Sequence, residues 1–310
     1  MKIAFVFPGQ GSQAVGMLDA WAGNDAVRRC LEQASEALGQ DIAQLISEGP
    51  AEALNLTTNT QPVMLAAAVA TYAAWRQAGG QEPAIMAGHS LGEYSALTAA
   101  GALQLEDAVR IVRVRADAMQ AAVPVGTGAM AAVLGLSDED VLAVCEEAAH
   151  TQVVEAVNFN APAQVVIAGH KEAVERACEL AKAKGAKRAL VLPVSAPFHS
   201  SLLKPAAEVL NAALAKIEVK VPAVPVIHNV DVAIAGDSGA IRDALVRQAW
   251  HPVRWVETIQ AMKAQGVTHI VECGPGKVLN GLTKRIDKDL VGVAITDPAS
   301  MQAALELLQG

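Results

Sequence analysis

The sequence predicts an α/β protein, a parallel-sheet domain interrupted by a smaller inserted module. Three observations carry that expectation. Apolar runs of strand length alternate with longer helical runs over most of the chain. A Gly-x-Ser-x-Gly pentapeptide, Gly88-His89-Ser90-Leu91-Gly92, lies between a short apolar run and a helical one, the strand–turn–helix context of an α/β-hydrolase-like serine. Between residues 125 and 196 the order of patterns is β-α-β-β-α-β, which fits a ferredoxin-like module.

Taken in order, residues 2–7 read as a buried first strand, followed by the turn Pro8-Gly9-Gln10-Gly11-Ser12-Gln13. Helical patterns dominate to about residue 80, notably at 26–38 and 62–77. Residues 84–87 form the strand before the serine turn, 93–100 the helix after it and 105–122 a long helix, after which Pro124, Gly126 and Gly128 punctuate the chain. The inserted module reads as a strand at 130–136 and a helix at 137–149 with Ser137 as its cap. Strands at 153–158 and 164–168 follow, joined through Asn160-Ala161-Pro162, then a helix at 171–184 ended by Gly185 and a strand at 187–194. Beyond Pro197, strands are expected at 224–229, 268–273 and 290–295, with helices between. The division is therefore a large α/β-hydrolase-like domain, residues 1–124 and 197–310, and an inserted ferredoxin-like domain, residues 125–196.

Composition narrows the function classes. A chain of 310 residues that is 52% hydrophobic and 18% charged can bury a sizeable core. A net charge of −8 argues against nucleic-acid binding, and 3% aromatics leave little for base stacking. The N-terminal apolar run is too short for a signal peptide, and the apolar stretch at 62–75 reads as a core helix, so a cytoplasmic protein without a membrane partner is expected. The four cysteines form no Cys-x-x-Cys and have no histidine at finger spacing, so they read as reduced structural thiols with no metal site.

Ser90 reads either as a nucleophile or as a cap for the helix behind it. A nucleophile needs a base. His89 is adjacent, but neighbouring side chains on a turn diverge. His150, His170 and His251 sit at segment ends or in polar stretches, and His228 and His269 fall in strand candidates. His199, in the proline-bent segment Pro197-Phe198-His199-Ser200, is placed to return a loop over the serine. The amide of Leu91, next after Ser90, is the expected first oxyanion donor, and the Gly9-Gln10-Gly11 turn suits a second. Neither that turn nor Gly274-Pro275-Gly276-Lys277 completes a phosphate-binding motif, so both read as packing turns. On a helical wheel, Arg115 falls on the apolar arc with Ala108 and Met119. A buried guanidinium there serves either a structural salt bridge or a substrate carboxylate.

Several motifs coincide in order: Phe7-Pro8-Gly9-Gln10-Gly11-Ser12-Gln13, Gly88-His89-Ser90-Leu91-Gly92-Glu93-Tyr94, Pro197-Phe198-His199-Ser200, Gln248 ahead of His251-Pro252-Val253-Arg254-Trp255, and Glu272-Cys273-Gly274-Pro275-Gly276. Together with Arg115 they resemble the malonyl-CoA:acyl carrier protein transacylases of bacterial fatty acid synthesis along the whole chain. The resemblance implies Ser90 as the acyl-accepting nucleophile and His199 as its base, oriented by the main-chain carbonyl of Gln248. It also implies the Gln10 and Leu91 amides as oxyanion hole and Arg115 as the malonyl carboxylate clamp. Phe198 before His199 matches the pairing of malonyl-selective members. The implied partners are malonyl-CoA and acyl carrier protein, with no cofactor and a monomeric state.

Three rivals stay open: an acyltransferase serving a polyketide-type synthase in trans, a serine thioesterase or other hydrolase, and a non-catalytic carrier-binding module. The hydrolase reading lacks an HGGG-type oxyanion loop. Because carrier proteins are acidic, docking needs a local basic patch, for which Lys182, Lys184, Lys187 and Arg188 are the densest cluster. The same residues also suit a solvated helix end.

Overall fold

The computed structural model describes residues 1–194 and 196–309. Its core is a five-stranded parallel sheet ordered β7-β2-β1-β8-β9, with β1 Ile3–Phe7, β2 Ile85–Gly88, β7 Val226–Ile227, β8 His269–Cys273 and β9 Val291–Ile295. Every residue of β1 is buried, as expected of a central parallel strand covered on both faces. Phe7 pairs with Gly88, so the turns after β1 and β2 leave the same edge of the sheet. The chain reverses direction about β1, running outward to β2 and β7 on one side and to β8 and β9 on the other. That crevice beyond the strand ends is where open α/β sheets bind ligands.

The helix Thr57–Gln77 is apolar on nearly every side and lies buried, with Tyr72 and Trp75 edge-on to Phe5. It starts five residues before the expected Pro62. The proline, which costs one main-chain bond, falls in the second turn, and Thr60 Oγ donates to the carbonyls of Leu54 and Leu56 at the helix start. The short helices Ile42–Glu48 and Ala51–Leu54 were hidden in the general helical texture.

Residues 128–191 build a second, antiparallel sheet ordered β4-β5-β3-β6, with β3 Gly128–Leu134, β4 Val154–Ala161, β5 Gln164–His170 and β6 Arg188–Val191. The helices Asp138–Ala149 and Lys171–Ala183 cover one face around Val133, Val144, Ile167 and Val174. Ser137 caps the first of them by accepting from the Asp140 amide at 3.1 Å. The other face, Met130, Val157, Val166 and Ala168, receives Phe198.

Strand limits differ from expectation for local reasons. β3 ends before the left-handed Gly135, two residues earlier than its apolar run suggests. β4 runs through Asn160 and Ala161 with two irregularities in its register, so the turn is Pro162-Ala163. The ladder at 224–229 contracts to Val226–Ile227, which frees His228 and Asn229 for side-chain work.

Candidate active site

β2 delivers the chain into a tight turn on which Ser90 adopts φ 52°, a left-handed conformation that a non-glycine residue holds only when its surroundings fix it. Sterics dictate the flanking glycines. A Cβ on Gly88 would lie 1.8 Å from the Gly92 carbonyl oxygen, and one on Gly92 would lie 2.0 Å from that of Phe7. The serine's own peptide groups are tied down: its amide donates to Asn229 Oδ1 at 2.8 Å, and its carbonyl accepts from Gln248 Nε2 at 2.8 Å. The residue as a whole is half-buried.

His199 Nε2 stands 2.7 Å from Ser90 Oγ, and its Nδ1 stands 2.8 Å from the main-chain oxygen of Gln248. That carbonyl is free because Gln248 is the last residue of the helix Ser238–Gln248. A carbonyl only accepts, so Nδ1 carries the ring proton and Nε2 presents a lone pair to the serine hydroxyl. Burial, followed by the nearby Arg115 charge, pushes the His199 pKa down to about 3, so the resting imidazole is neutral. The histidine is itself left-handed, at φ 66°. Its loop is held on both sides: Phe198 rests on the antiparallel sheet, while the Ser201 amide and hydroxyl donate to Glu155 at 2.7 and 2.8 Å.

Arg115, on the helix Leu105–Ala121, is only 2% exposed, and the wheel placed it correctly. Nη1 donates to Gln61 Oε1 at 2.8 Å; Nη2 donates to Gln248 Oε1 at 3.0 Å and to Ser90 Oγ at 3.1 Å. Its hydrogen-bond partners among the described residues are thus neutral, and its Nε has none. The guanidinium also lies 5.4 Å from the centre of the Tyr94 ring. Burial lowers its pKa, but a group that starts so high stays charged. A cation buried beside a serine hydroxyl with only neutral hydrogen-bond partners is costly, so the position suits an anion.

Leu91 immediately precedes the helix Gly92–Ala99, so its amide belongs to the electropositive end. The Gly9-Gln10 turn approaches closely, since a Cβ on Gly9 would lie 2.6 Å from the His89 oxygen. Gln10 is anchored through its side chain to Thr57 Oγ at 3.1 Å, and the turn is backed by Gly276, whose Cβ would meet Ser12 at 2.8 Å. His89 points elsewhere: its Nε2 meets Asn160 Oδ1 at 2.7 Å and its ring packs on Trp255.

Sequence reasoning missed the layer beneath. Gln61, Glu93, His228 and Asn229 are all buried and all hydrogen-bonded into this site. The one available signal was a pair of polar residues, His228-Asn229, closing an apolar run. In the basic cluster, Lys182 and Lys184 are paired with Glu179 and Glu147, leaving Lys187 and Arg188 as its exposed members outside the ion pairs found among the described residues.

A family model described as "Acyl transferase domain" matches residues 4–295. The malonyl CoA-acyl carrier protein transacylase of Escherichia coli K12 is 58% identical over 307 residues, covering 99% of both chains. This chain belongs to the malonyl CoA-acyl carrier protein transacylase family. Among solved structures, the acyl-carrier-protein S-malonyltransferase of Burkholderia pseudomallei is 66% identical with a TM-score of 0.98, covering 99% of this chain and 100% of that one. A malonyl-transacylase solved in complex with its type II PKS acyl-carrier protein is 52% identical with a TM-score of 0.98, covering 99% and 100%. The acyl transferase match thus spans both sheets and every residue named above in the site.

Proposed function

We propose that this transacylase moves the malonyl group from malonyl-CoA to the phosphopantetheine thiol of acyl carrier protein through a malonyl-Ser90 intermediate, supplying extender units for fatty acid synthesis. The observation that carries the reading is the convergence of His199 Nε2 and Arg115 Nη2 on one hydroxyl, at 2.7 and 3.1 Å. A carboxylate gripped by Arg115 places an acyl carbon one methylene away next to Ser90.

In the first half-reaction His199 Nε2 takes the hydroxyl proton as Ser90 Oγ bonds to the thioester carbon. The Leu91 and Gln10 amides hold the resulting oxyanion, each such donor being worth roughly 10²–10³ in rate. Collapse breaks the C–S bond, the imidazolium returns its proton to sulfur, and CoA leaves as the thiol. In the second half-reaction the carrier thiol gives its proton to His199 and attacks malonyl-Ser90. The C–O bond breaks and Ser90 recovers the proton. The Gln248 carbonyl keeps the imidazole oriented throughout. No metal or cofactor enters, because the thioester is already activated.

The architecture that goes with this reading is an α/β-hydrolase-like catalytic domain, residues 1–124 and 197–310, and an inserted ferredoxin-like domain, residues 125–196, of which Ser195 lies outside the described residues. The strand order β4-β5-β3-β6 with both helices on one face supports the second assignment. We assign the protein to the cytoplasm as a monomer with no nucleic-acid or membrane partner; no described helix is long and apolar enough to cross a bilayer. A second reading, service to a polyketide carrier protein, is favoured by the related complex with a type II PKS carrier.

Intact-protein mass spectrometry after brief mixing with malonyl-CoA or acetyl-CoA tests the proposal. A malonyl adduct on wild type, absent from Ser90→Ala, with little acetyl adduct, is expected. Steady CoA release without an adduct would replace the transferase with a hydrolase, and neither signal would leave a binding module. Transfer rates to fatty-acid and polyketide carrier proteins then separate the two carrier readings.

A further inference from the structure

The mechanism above uses Ser90, His199, Arg115 and Gln248 but leaves idle a carboxylate buried directly beneath them. Glu93 sits in the first turn of the helix Gly92–Ala99 and is fully buried. Its Oε1 accepts from His228 Nδ1 at 2.6 Å, and its Oε2 accepts from the Asn229 amide at 2.9 Å and from Gln248 Nε2 at 3.1 Å. Two of those partners, Asn229 and Gln248, lead back to the reacting groups. Asn229 holds the Ser90 amide through Oδ1 and the Gly88 carbonyl through Nδ2, at 2.8 and 2.7 Å. Gln248 presents its side-chain oxygen to Arg115 and its main-chain oxygen to His199.

We infer that Glu93, fixed by His228, is a positioning residue that sets the amide orientation of Gln248 and thereby aligns the carboxylate clamp with the nucleophile. The chemistry behind this is a donor–acceptor constraint. A carboxylate only accepts, so Gln248 must turn its NH₂ toward Glu93, the orientation that its bond to the Ser90 carbonyl shares, which leaves Oε1 facing the guanidinium. With the amide reversed, Nε2–H would confront Arg115 Nη2–H and Oε1 would confront the carboxylate, two like-signed contacts in a site closed to water. Burial works against charge on the His228 ring, but the Glu93 hydrogen bond and charge outweigh it and raise its pKa. Glu93 thus has His228 rather than Arg115 as its direct hydrogen-bond partner, and the guanidinium's own hydrogen-bond partners are neutral.

This inference rests on the proposed role of Arg115, so its test uses a readout normalised to working sites. The ratio of malonyl to acetyl adduct per adduct-forming Ser90 is measured in wild type, Glu93→Ala, Glu93→Gln and His228→Leu, with both donors competing in one mixture. In Glu93→Ala the ratio is expected to fall at least tenfold and the malonylation rate per site about 10²-fold. Glu93→Gln, whose side-chain oxygen still accepts from Gln248, is expected to recover most of the ratio. His228→Leu, which leaves Oε1 unpartnered, is expected to lower it and decides the matter should Glu93→Ala fail to fold. A purely structural role would reduce the number of working sites and leave the ratio unchanged. Ratios within twofold of wild type in both Glu93→Ala and His228→Leu, or no recovery in Glu93→Gln, would overturn the inference. A wild type without malonyl preference would instead remove the Arg115 assignment beneath it.

Discussion

Arg115→Ala is the perturbation whose size the structure sets most directly. In the resting site the guanidinium is buried and donates to Gln61, Gln248 and Ser90, none of them charged. In the proposed role of Arg115 a malonyl carboxylate would supply the missing charge, whereas an acetyl group would supply only a methyl and leave the cation unpaired. Breaking a buried pair by removing one partner costs about 3–5 kcal/mol, and about 3 kcal/mol is a little over 10² in rate. Wild type is therefore expected to prefer malonyl-CoA over acetyl-CoA by at least 10² in the acylation step, and Arg115→Ala to narrow that below about tenfold. The assay is quench-flow of the first half-reaction, with both donors competing and the adducts resolved by mass. Competition within one sample cancels any loss of folded enzyme, which matters because Arg115 also supports Gln248. A ratio that survives Arg115→Ala within threefold would refute the reasoning, since nothing else described beside Ser90 offers a full positive charge.

Three further expectations follow from the same geometry. Because His199 is held down to about 3, the base stays neutral through the acid range, so the malonylation rate at sub-saturating donor should be flat from pH 8 to about 5; an inflection near 6.5 would show an ordinary histidine. Burial, opposed by amide donors of the helix Val278–Ile286, pushes Glu272 from 4.5 up to about 7, so between those values the native state holds a proton that the unfolded chain has released. Stability should accordingly fall as pH rises across that window, and Glu272→Gln should stabilise the protein at pH 8 by up to about 3 kcal/mol yet change little at pH 4, which thermal melts at the two pH values would check. Charge reversal at Lys187 and Arg188 should raise the carrier-protein KM at least about tenfold at low salt and leave the malonyl-CoA KM alone; an unaltered carrier KM would move docking elsewhere.

What the sequence disclosed was set by local sterics. The Ser90 turn was legible because no side chain fits at Gly88 or Gly92, and Arg115 because a charge on an apolar arc is visible on one helix without its neighbours. His199 and Gln248 were harder. They lie 109 and 158 residues from Ser90; the proline-bent segment offered His199 as one candidate base, and only the resemblance brought in Gln248. Glu93 was quoted within a motif yet given no task, because its partners His228 and Asn229 are 135 and 136 positions away and were absorbed into a strand that ends before them. The helix around Pro62 shows the opposite failure, a strong local signal moved by a favourable start upstream. The basic cluster was chosen by density alone, and half of it is paired with acids, Lys182 with Glu179 one turn back on its own helix and Lys184 with Glu147, which only the folded chain brings near.

The Ser90–His199 hydrogen-bonded pair ends on the C-terminal carbonyl of a helix. The aligned peptides behind it give that end roughly half a negative charge, a fraction of what a carboxylate would supply. Unlike a carboxylate, it has no proton to gain at any pH the fold survives, and no codon at position 248 can delete it. Only an edit to the peptide bond itself, such as an ester between Gln248 and Ala249, would weaken it as an acceptor. The His199 ring is thus held by a group that neither acid nor point mutation can switch off.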